Sequence, residues 1–457
     1  METHHHKRSA FSGKLGFVLS AAGASVGLGN IWRFPYLAAK YGGGIFLLIY
    51  IILAFTFGYT MIMAETALGR MTKKSPVGAF AAFGKGGGFA FGGWINAIIP
   101  ILIVPYYSVI GGWVIKYLVE YLRGGGSALA QDGYFSEFIS SGVSVELCFV
   151  VFTLFTLGII YAGVRNGVER VSKCMMPVLA VLSVIIAVYS VTRPGALAGV
   201  KYFLVPNLDN FSWMTVVSAM GQMFYSLSIA MGILITFGSY MKKDVSIEGS
   251  TTNVEIFDTA IAIMAGLMII PAVFAFSGGD PDTLQAGPAL MFITIPKVFD
   301  SMGMGTVVGV MFFLLVLFAA VTSSIALTES AVSTFEDELG WKRHKSTLLI
   351  GVIMLALGSL SALGYGPLAG VTVFGMQFLD LFDFLTNSVM MPIAAIATCL
   401  LVSRVVGVDK IEEEVTQNGG QFRRKAIFNF MIRYLCPLFA AIILVSSVAN
   451  ALGWIKM

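Results

Sequence analysis

The stretch AAGASVGLGNIWRFPY, residues 21–36, lies inside the first long apolar segment of the chain. Its three glycines are followed by the polar Asn30, the cationic Arg33 and Pro35, where an ordinary membrane helix would carry leucine or valine. A backbone that leaves the α-helix at membrane depth exposes N–H and C=O groups that lipid cannot satisfy. The stretch therefore predicts an interrupted helix that lines a protected, polar cavity.

The composition of the whole chain is that of an integral membrane protein. Of its 457 residues, 57% are hydrophobic and only 12% are charged, whereas a water-facing surface needs roughly a quarter charged residues. Apolar windows long enough to cross a bilayer recur along the chain. They predict an all-α polytopic membrane protein of eleven transmembrane helices, near residues 13–39, 44–71, 90–122, 143–163, 168–192, 212–241, 254–278, 303–337, 346–363, 371–402 and 428–453.

The charged residues predict the orientation of the chain in the lipid bilayer. Most of the 29 lysines and arginines precede the first span or follow an even-numbered span, which places the N-terminus in the cytoplasm and the C-terminus outside. The net charge of +4 then reflects topology, and we expect no nucleic-acid partner. Nothing before residue 13 has the form of a cleavable signal peptide.

Cysteine and histidine give no indication of metal or redox chemistry. The four cysteines lie in or beside apolar spans, and we expect them to serve only in packing: Cys148, Cys174, Cys399 and Cys436. No histidine falls in a span; the tract His4–His6 could bind a metal, but a solvated tail is the simpler interpretation, and His344 lies in a loop.

Enzymatic functions lack their motifs. GAFAAFGKG, residues 78–86, has five residues between its glycines where a nucleotide-binding loop has four. A metal-binding H-E-x-x-H pair and a serine nucleophile elbow are both missing from the sequence. We therefore expect neither an ATP-driven pump nor another enzyme, and no organic cofactor.

The sixth span is the second apolar segment with glycines and small polar residues at its middle, in GQMFYSLSIAMGILITFGSY, residues 221–240. The first and sixth spans hold corresponding places in two five-span halves. Such a pair of interrupted segments points to the binding site of a transporter near the membrane midplane. Glycines that only let helices pack closely are the alternative, but they do not explain Asn30 or Arg33.

Four features in matching order now resemble the neurotransmitter:sodium symporter family. They are GASVGLGNIWRFPY from Gly23, MFYSLSIAMG from Met223, FAAVTSSIAL from Phe318, and the spacing of Gly167 and Pro177. The resemblance covers essentially the whole chain, 1–457, as one symporter domain. It implies a 5+5 inverted-repeat bundle with discontinuous helices 1 and 6, made of repeats at about 13–192 and 212–402 and an accessory helix at 428–453.

The same resemblance implies function. Bacterial members are amino-acid transporters of the inner (plasma) membrane, so we expect sodium-coupled uptake of an amino acid by alternating access. Two Na⁺ sites are implied, and oxygen ligands suit this hard cation. The first would use Ser25, Asn30, Ser226 and Asp258, and the second Gly23, Val26, Ala319, Thr322 and Ser323. The hydroxyl groups of the second set could instead bond to carbonyl groups one turn earlier.

Asp258 carries a further expectation. It stands where relatives have a coordinating asparagine, and chloride-dependent members bind Cl⁻ in a pocket that Tyr50, Gln222 and Ser226 would line here. A fixed carboxylate can replace that anion in a region of low dielectric. We therefore expect chloride-independent transport; the alternative is that Asp258 is a solvated acid at a helix end.

Substrate class follows from Gly27, which occupies the position where amine transporters carry an aspartate. Because the site supplies no carboxylate, the substrate should bring its own, and an uncharged pocket suits a hydrophobic or aromatic L-amino acid. Another small zwitterion, an amine, or a passive channel is the alternative. The implied substrate contacts are Ser25, Leu28, Gly29, Ile103, Tyr107, Tyr225, Ser226, Ser228, Ala230, Met231, Ser323 and Leu327.

The resemblance also implies gates. On the outside Arg33 would pair with Asp383, with Tyr225 as a lid; on the inside Arg8 would bridge to Asp337, supported by Phe11 and Tyr240. These inner charges could instead be solvated.

Three further elements would assist these gates. Gly167 and Pro177 would let the fifth helix unwind. We expect Glu65 to bond to N–H groups freed by the broken sixth helix. Residues 277–301 would form an outer lid or, alternatively, an interfacial loop.

Overall fold

The computed structural model describes residues 9–83, 87–279, 287–451 and 453–454. Within these ranges the chain is almost entirely helical, with one isolated β-bridge between Val373 and Met376. Arg8 and His4–His6 lie outside the described residues. The all-α fold predicted from composition is thereby confirmed.

Nine continuous helices of the described residues are long and apolar enough to cross a membrane. We number them by their place among the eleven predicted spans: α2 Gly44–Thr72, α3 Phe89–Leu122, α4 Gly142–Tyr161, α5 Val164–Val191, α7 Ile247–Ser277, α8 Gly305–Leu339, α9 Arg343–Leu363, α10 Phe378–Val406 and α11 Lys425–Ala451.

The remaining two spans, α1 and α6, are broken. The halves of α1, α1a Lys14–Ser25 and α1b Gly29–Lys40, bend by 55° at the break. The halves of α6, α6a Trp213–Ser226 and α6b Ile233–Tyr240, are separated by the linker 227–232. Positive φ angles at Ser228, Ala230 and Gly232, of 51°, 59° and 70°, divert this linker from a helical path. Both interruptions lie where the sequence predicts them.

Helices α3 and α8 form the centre of the bundle, and α4, α5 and α11 form its periphery. The most apolar windows of α3 and α8 are 78% and 72% buried, against 33% for α4 and α5 and 28% for α11. The exposed apolar side chains of the peripheral helices include Leu147, Leu154, Val181 and Val445. A lipid-facing surface is expected to look like this.

The face of the bundle that carries residues 9–13, called here the N-terminal face, holds a buried charge network. Arg70 of α2, 1% exposed, donates to Glu414 at 2.7 Å, and Lys243 donates to the same carboxylate. Arg424 pairs with the buried Glu255 of α7 at 2.9 Å. These pairs fasten the segment between α10 and α11 to α2, to α7 and to the segment joining α6b to α7. The fastened segment includes a helix at Val408–Thr416.

The opposite face is covered by a segment following α7. Its described part contains a π-helical turn at Leu290–Thr294 and a helix at Ile295–Asp300. The Phe292 ring stacks on Phe135, and its carbonyl oxygen accepts a hydrogen bond from Tyr117 of α3 at 2.8 Å. Gly287 and Pro288 line a vestibule described below; residues 280–286 lie outside the described part, so the outer lid stays a prediction beside the interfacial loop.

Candidate substrate and sodium sites

The breaks in α1 and α6 face each other, and side chains bond to the backbone groups that the breaks release. Ser228 of the α6 linker donates to the Ala24 carbonyl oxygen at 2.8 Å, and Ser25 lies 3.3 Å from the Leu227 carbonyl oxygen. The Gln222 amide donates to the Gly29 carbonyl oxygen at 3.1 Å. These contacts hold the two irregular segments together inside protein, where exposed backbone polar groups are tolerated.

Glu65 of α2 has the role predicted for it. Its carboxylate accepts the Ala230 N–H at 2.6 Å, and Ala230 belongs to the α6 linker. The Glu65 side chain is fully buried. It therefore satisfies one of the N–H groups that the break releases.

The first cluster of oxygen atoms surrounds Asp258. The Asn30 amide donates to its carboxylate at 2.8 Å, the Ser226 hydroxyl at 3.0 Å and the Tyr50 hydroxyl at 3.4 Å. The Tyr50 hydroxyl also lies 2.9 Å from the Ser226 hydroxyl, and its single proton is shared between this contact and the longer one to Asp258. Asp258 is fully buried within α7, which excludes the alternative of a solvated acid at a helix end.

Ser25 and Gln222 have other side-chain partners. The Ser25 hydroxyl bonds to the Ala21 carbonyl oxygen at 3.1 Å, and a carbonyl oxygen at Ser25 remains the predicted ligand. Gln222 was predicted to line an anion pocket beside Tyr50 and Ser226, but its amide N–H points to Gly29. The carboxylate of Asp258 is instead the acceptor for both hydroxyl groups of that pocket.

The second cluster of oxygen atoms lies between α1a and α8. The Ser323 hydroxyl is 3.1 Å from the carbonyl oxygens of Gly23 and Ala24 and 3.4 Å from that of Val26. One hydroxyl proton satisfies only one of these acceptors. Convergence of several oxygen atoms with one proton favours a cation among them.

Thr322 completes this cluster and also shows the alternative bonding. Its hydroxyl lies 3.2 Å from the Ala319 carbonyl oxygen and 2.9 Å from that of Phe318, one turn earlier in α8. A Cβ added at Gly23 would lie 3.0 Å from the Thr322 Cβ, so glycine permits this approach of α1a to α8. All five residues predicted for the second sodium site are thus adjacent.

A cavity of about 30 Å³ lies between the two breaks, α3 and α8. Its lining carries no charged side chain and consists of Ala24, Ser25, Gly27, Leu28, Gly29, Ile103, Tyr107, Tyr225, Ser228, Met231, Ser323 and Leu327. Tyr107 accepts the Leu28 N–H at 3.3 Å, at the start of α1b. A Cβ at Gly27 would lie 2.8 Å from the Ser323 hydroxyl and 3.0 Å from that of Tyr107, so a side chain there would fill the cavity.

Two residues predicted to contact substrate do not line this cavity. Ser226 is the last residue of α6a, and its hydroxyl is directed to Asp258. Ala230 sits at a positive φ with its N–H bound to Glu65. Ala24 and Gly27 also line the cavity, although they were not among the predicted substrate contacts. They lie in the same motif as Ser25, Leu28 and Gly29, and that position could have indicated them.

The predicted outer ion pair is not formed in this conformation. Arg33 and Asp383 both line a vestibule of about 610 Å³ at the opposite face, but none of the ion pairs within 4.0 Å among the described residues joins them. Arg33 lies over the Tyr225 ring at 5.2 Å, and Asp383 accepts from Asn387 at 2.6 Å and Tyr106 at 3.2 Å. Tyr225 lines both the cavity and the vestibule, so its ring separates them.

The N-terminal face is closed over the cavity. Phe11, 1% exposed, packs edge-on against Phe17, Phe237 and Tyr240, and its N–H donates to the Tyr240 carbonyl oxygen at 3.1 Å. Asp337 accepts the Ser75 N–H at 2.6 Å. The predicted bridge from Asp337 to Arg8 involves a residue outside the described part of the chain.

Helix α5 begins irregularly where the sequence predicts a weak point. Val164–Glu169 is a π-helical turn, Gly163 has φ of 92°, and Pro177 lies inside the α-helical part that follows. A Cβ at Gly167 would lie 2.0 Å from the Ile159 carbonyl oxygen. Only glycine permits this approach of the turn to the end of α4.

Comparison with known proteins identifies the family. The model of the sodium:neurotransmitter symporter family matches residues 8–125 and 135–454. The chain belongs to this family. It is a sodium-dependent symporter and a multi-pass membrane protein, not an enzyme.

Individual relatives agree with this assignment. An uncharacterized sodium-dependent transporter of Bacillus subtilis is 34% identical over 95% of this chain and 96% of its own length. A sodium- and chloride-dependent GABA transporter 2 of Macaca fascicularis is 27% identical over 94% of this chain and 77% of its own. The crystal structure of MhsT in complex with L-phenylalanine superposes with a TM-score of 0.87 at 34% identity, covering 96% of this chain and all of MhsT.

Proposed function

We propose that this symporter couples Na⁺ entry to uptake of a hydrophobic or aromatic L-amino acid and does so without chloride. The observation that carries the proposal is the cavity between the two breaks, which is bounded by polar groups at one end and apolar side chains at the other and has no charged residue. The similarity to MhsT, whose structure contains L-phenylalanine, agrees with it.

The polar end of the cavity suits a zwitterion. Leu28 and Gly29 present N–H groups at the start of α1b, and the Tyr107 hydroxyl lies beside them. Such a helix start attracts a carboxylate. The carbonyl oxygens near Ser25 and the Ser228 hydroxyl would receive the substrate ammonium group. An amine without a carboxylate would bring no negatively charged acceptor to this helix start.

The apolar end would set the size of the side chain. Ile103, Met231 and Leu327 line it. A substrate with a larger side chain would need this end of the cavity to adapt. Met231 is unbranched and adapts to aromatic rings through its sulfur atom, so it is the residue that would move.

Chloride independence would come from Asp258. Its carboxylate bonds to Ser226 and Tyr50, which line the anion pocket inferred from the sequence. A negative charge fixed there offsets the charge of a Na⁺ ion held by Asn30, Ser226 and Asp258. A second Na⁺ would bind among Gly23, Val26, Ala319, Thr322 and Ser323, for which the convergence of oxygen atoms is the support.

Transport would proceed by alternating access in the plasma membrane of a bacterium, with the N-terminal face in the cytoplasm and the C-terminus outside. The larger volume of the vestibule at the opposite face and the close packing of the N-terminal face support an outward-facing conformation. Closure of the outer side would bring Arg33 to Asp383, and opening of the inner side would release Phe11 from its aromatic neighbours.

Ligand binding by the purified protein tests the proposal. A ligand of the folded state raises its melting temperature by mass action. We expect stabilisation in NaCl by one or more hydrophobic or aromatic L-amino acids in a screen of the twenty, and none in KCl. Phenethylamine, which is phenylalanine without its carboxylate, is the matched control. If this amine stabilised the protein as much as the amino acids do, the proposal that the substrate is a zwitterion would be refuted.

A further inference from the structure

Three sulfur atoms from three helices meet in the interior of the bundle. Cys399 of α10 directs its thiol to the thioether of Met61 of α2, with 3.7 Å between the two sulfur atoms. The thiol of Cys436 of α11 interacts with that of Cys399. All three side chains are fully buried, and both cysteines are free thiols. The sequence predicts only packing for these cysteines, but packing does not require sulfur to meet sulfur.

These three side chains, called here the sulfur cluster, supply only soft donor atoms. Thiolate and thioether sulfur atoms bind Cu(I), whereas carboxylate, carbonyl and water oxygen atoms suit Mg²⁺ and Ca²⁺. Zn²⁺ usually takes four ligands, and no group of three His, Cys, Asp or Glu side chains that could hold a metal ion occurs in the described residues. The chemistry of the sulfur cluster therefore fits a soft, monovalent metal ion.

The spacing and the charge balance fit the same ion. With metal–sulfur bonds of about 2.3 Å, two sulfur ligands at a trigonal angle stand about 4 Å apart, which is close to the 3.7 Å between Cys399 and Met61. Binding of Cu(I) would replace one thiol proton, which leaves to water, and the copper would stay Cu(I). One thiolate then cancels the charge of the ion, and a neutral complex avoids the cost of burying a net charge.

The sulfur cluster lies close to the lipid-facing surface of the bundle. Leu400, which follows Cys399 in α10, is 43% exposed. Tyr434 and Leu438, two residues before and after Cys436 in α11, are 62% and 51% exposed. An ion would therefore reach the sulfur atoms by passing between α10 and α11.

We propose that the sulfur cluster is a binding site for a monovalent thiophilic metal ion, Cu(I), held by Met61, Cys399 and Cys436. The bound ion fastens α2 to α10 and α11. Because α2 holds the α6 linker through Glu65 and α10 carries Asp383 of the vestibule, the ion restrains the relative motion of these two sides of the substrate site. This consequence rests on the alternating access proposed above, whereas metal binding itself does not.

Anaerobic competition with bicinchoninate, a coloured chelator of Cu(I), tests the site in the reduced, full-length protein. Wild type should retain a single equivalent of Cu(I) against the chelator. Even outer-shell substitutions weaken metal affinity by roughly tenfold to a hundredfold, so loss of a ligand in Cys399→Ser or Cys436→Ser should weaken it by about a hundredfold or more. Met61→Leu, which removes the thioether and keeps an apolar side chain, should weaken it by about tenfold or more.

The matched control removes the other candidate ligands: it carries Cys148→Ser and Cys174→Ser, and alanine replaces each residue of His4–His6. It should keep the wild-type stoichiometry and affinity. X-ray absorption of its copper should show sulfur neighbours alone, a result that does not depend on how well the cluster variants fold.

Four results would each refute the site. They are a wild type that gives up all its Cu(I) to the chelator, loss of Cu(I) from the control, nitrogen or oxygen neighbours at the metal, and unchanged affinity in the cysteine variants of the sulfur cluster. No amino acid enters these measurements, so an error in the proposed transport function would leave their outcome unchanged.

Discussion

Replacement of Asp258 by asparagine should make Na⁺ binding depend on chloride. Asn30, Ser226 and Tyr50 surround the Asp258 carboxylate within 3.4 Å, and a Na⁺ ion coordinated by a carboxylate oxygen of Asp258 would lie about 4 Å or less from its charge. At an effective dielectric constant near 20, a charge pair at about 4 Å is worth about 4 kcal/mol. That energy corresponds to roughly a thousandfold change in affinity.

An asparagine at position 258 keeps some polar contacts, and water can relax around it, so the loss should be no larger than the full effect of the charge. We therefore expect the Na⁺ affinity of the Asp258→Asn protein in sodium gluconate to fall by about a hundredfold to a thousandfold. In NaCl, Cl⁻ beside Tyr50 and Ser226 should restore it to within about tenfold of wild type. The assay is a Na⁺ titration of thermal stability in each salt. Wild type should give the same midpoint in both.

The control for this substitution is Glu146→Gln. Glu146 of α4 is also a carboxylate inside a span and bonds to a serine hydroxyl, that of Ser359, but it lies outside both oxygen clusters. It should leave the Na⁺ midpoint unchanged in both salts. An Asp258→Asn protein that binds Na⁺ equally well in gluconate would refute the role given to this carboxylate.

Three further substitutions test other parts of the site. Gly27→Asp should abolish amino-acid stabilisation in the thermal assay, because the new side chain fills the space beside Ser323 and Tyr107; retained binding would mean that substrate lies elsewhere. Ser323→Ala removes an oxygen from the second cluster and should raise the Na⁺ midpoint about tenfold or more, whereas an unchanged midpoint would argue against that sodium site. Arg70→Ala leaves Glu414 buried with Lys243 as its remaining cation and should lower the free energy of unfolding by about 3 kcal/mol or more; chemical denaturation in detergent would show a negligible loss if the network were unimportant.

The sequence predicts the span positions and both breaks well. Predicted spans 44–71 and 90–122 correspond to Gly44–Thr72 and Phe89–Leu122. Hydropathy determines where a helix can cross lipid, and the run of Gly27, Gly29 and Asn30 is too unfavourable in lipid to belong to an ordinary span. Span positions and breaks depend on local composition, and a single sequence is enough to read it.

Contacts within the site were predicted less completely. The positive φ angles of Ser228 and Ala230 redirect the α6 linker, so Ala230 turns away from the cavity, whereas Ser226 at the end of α6a is directed to Asp258. No local pattern indicates such angles at residues other than glycine. Whether Arg33 and Asp383 form a pair depends on the conformation of the transporter. The sequence does not specify a single conformation.

Two polar pairs whose members lie far apart in the chain have no signal in the sequence. Arg70 and Glu414 are 344 positions apart, and Ser12 and Glu169 are 157 apart. Each residue alone looks like an ordinary solvated polar residue near a membrane surface. Only the packing of α1, α2 and α5 brings the partners together and removes water from them.

Concentrative uptake by purified protein in liposomes would test sodium-coupled amino-acid symport itself. An inward Na⁺ gradient should accumulate radiolabelled L-phenylalanine, or the amino acid that stabilises the protein best, above its outside concentration, with gluconate as the only anion on both sides. A Na⁺ ionophore should abolish the accumulation. Equilibration that never exceeds the outside concentration, or accumulation that requires chloride, would contradict the proposed mechanism.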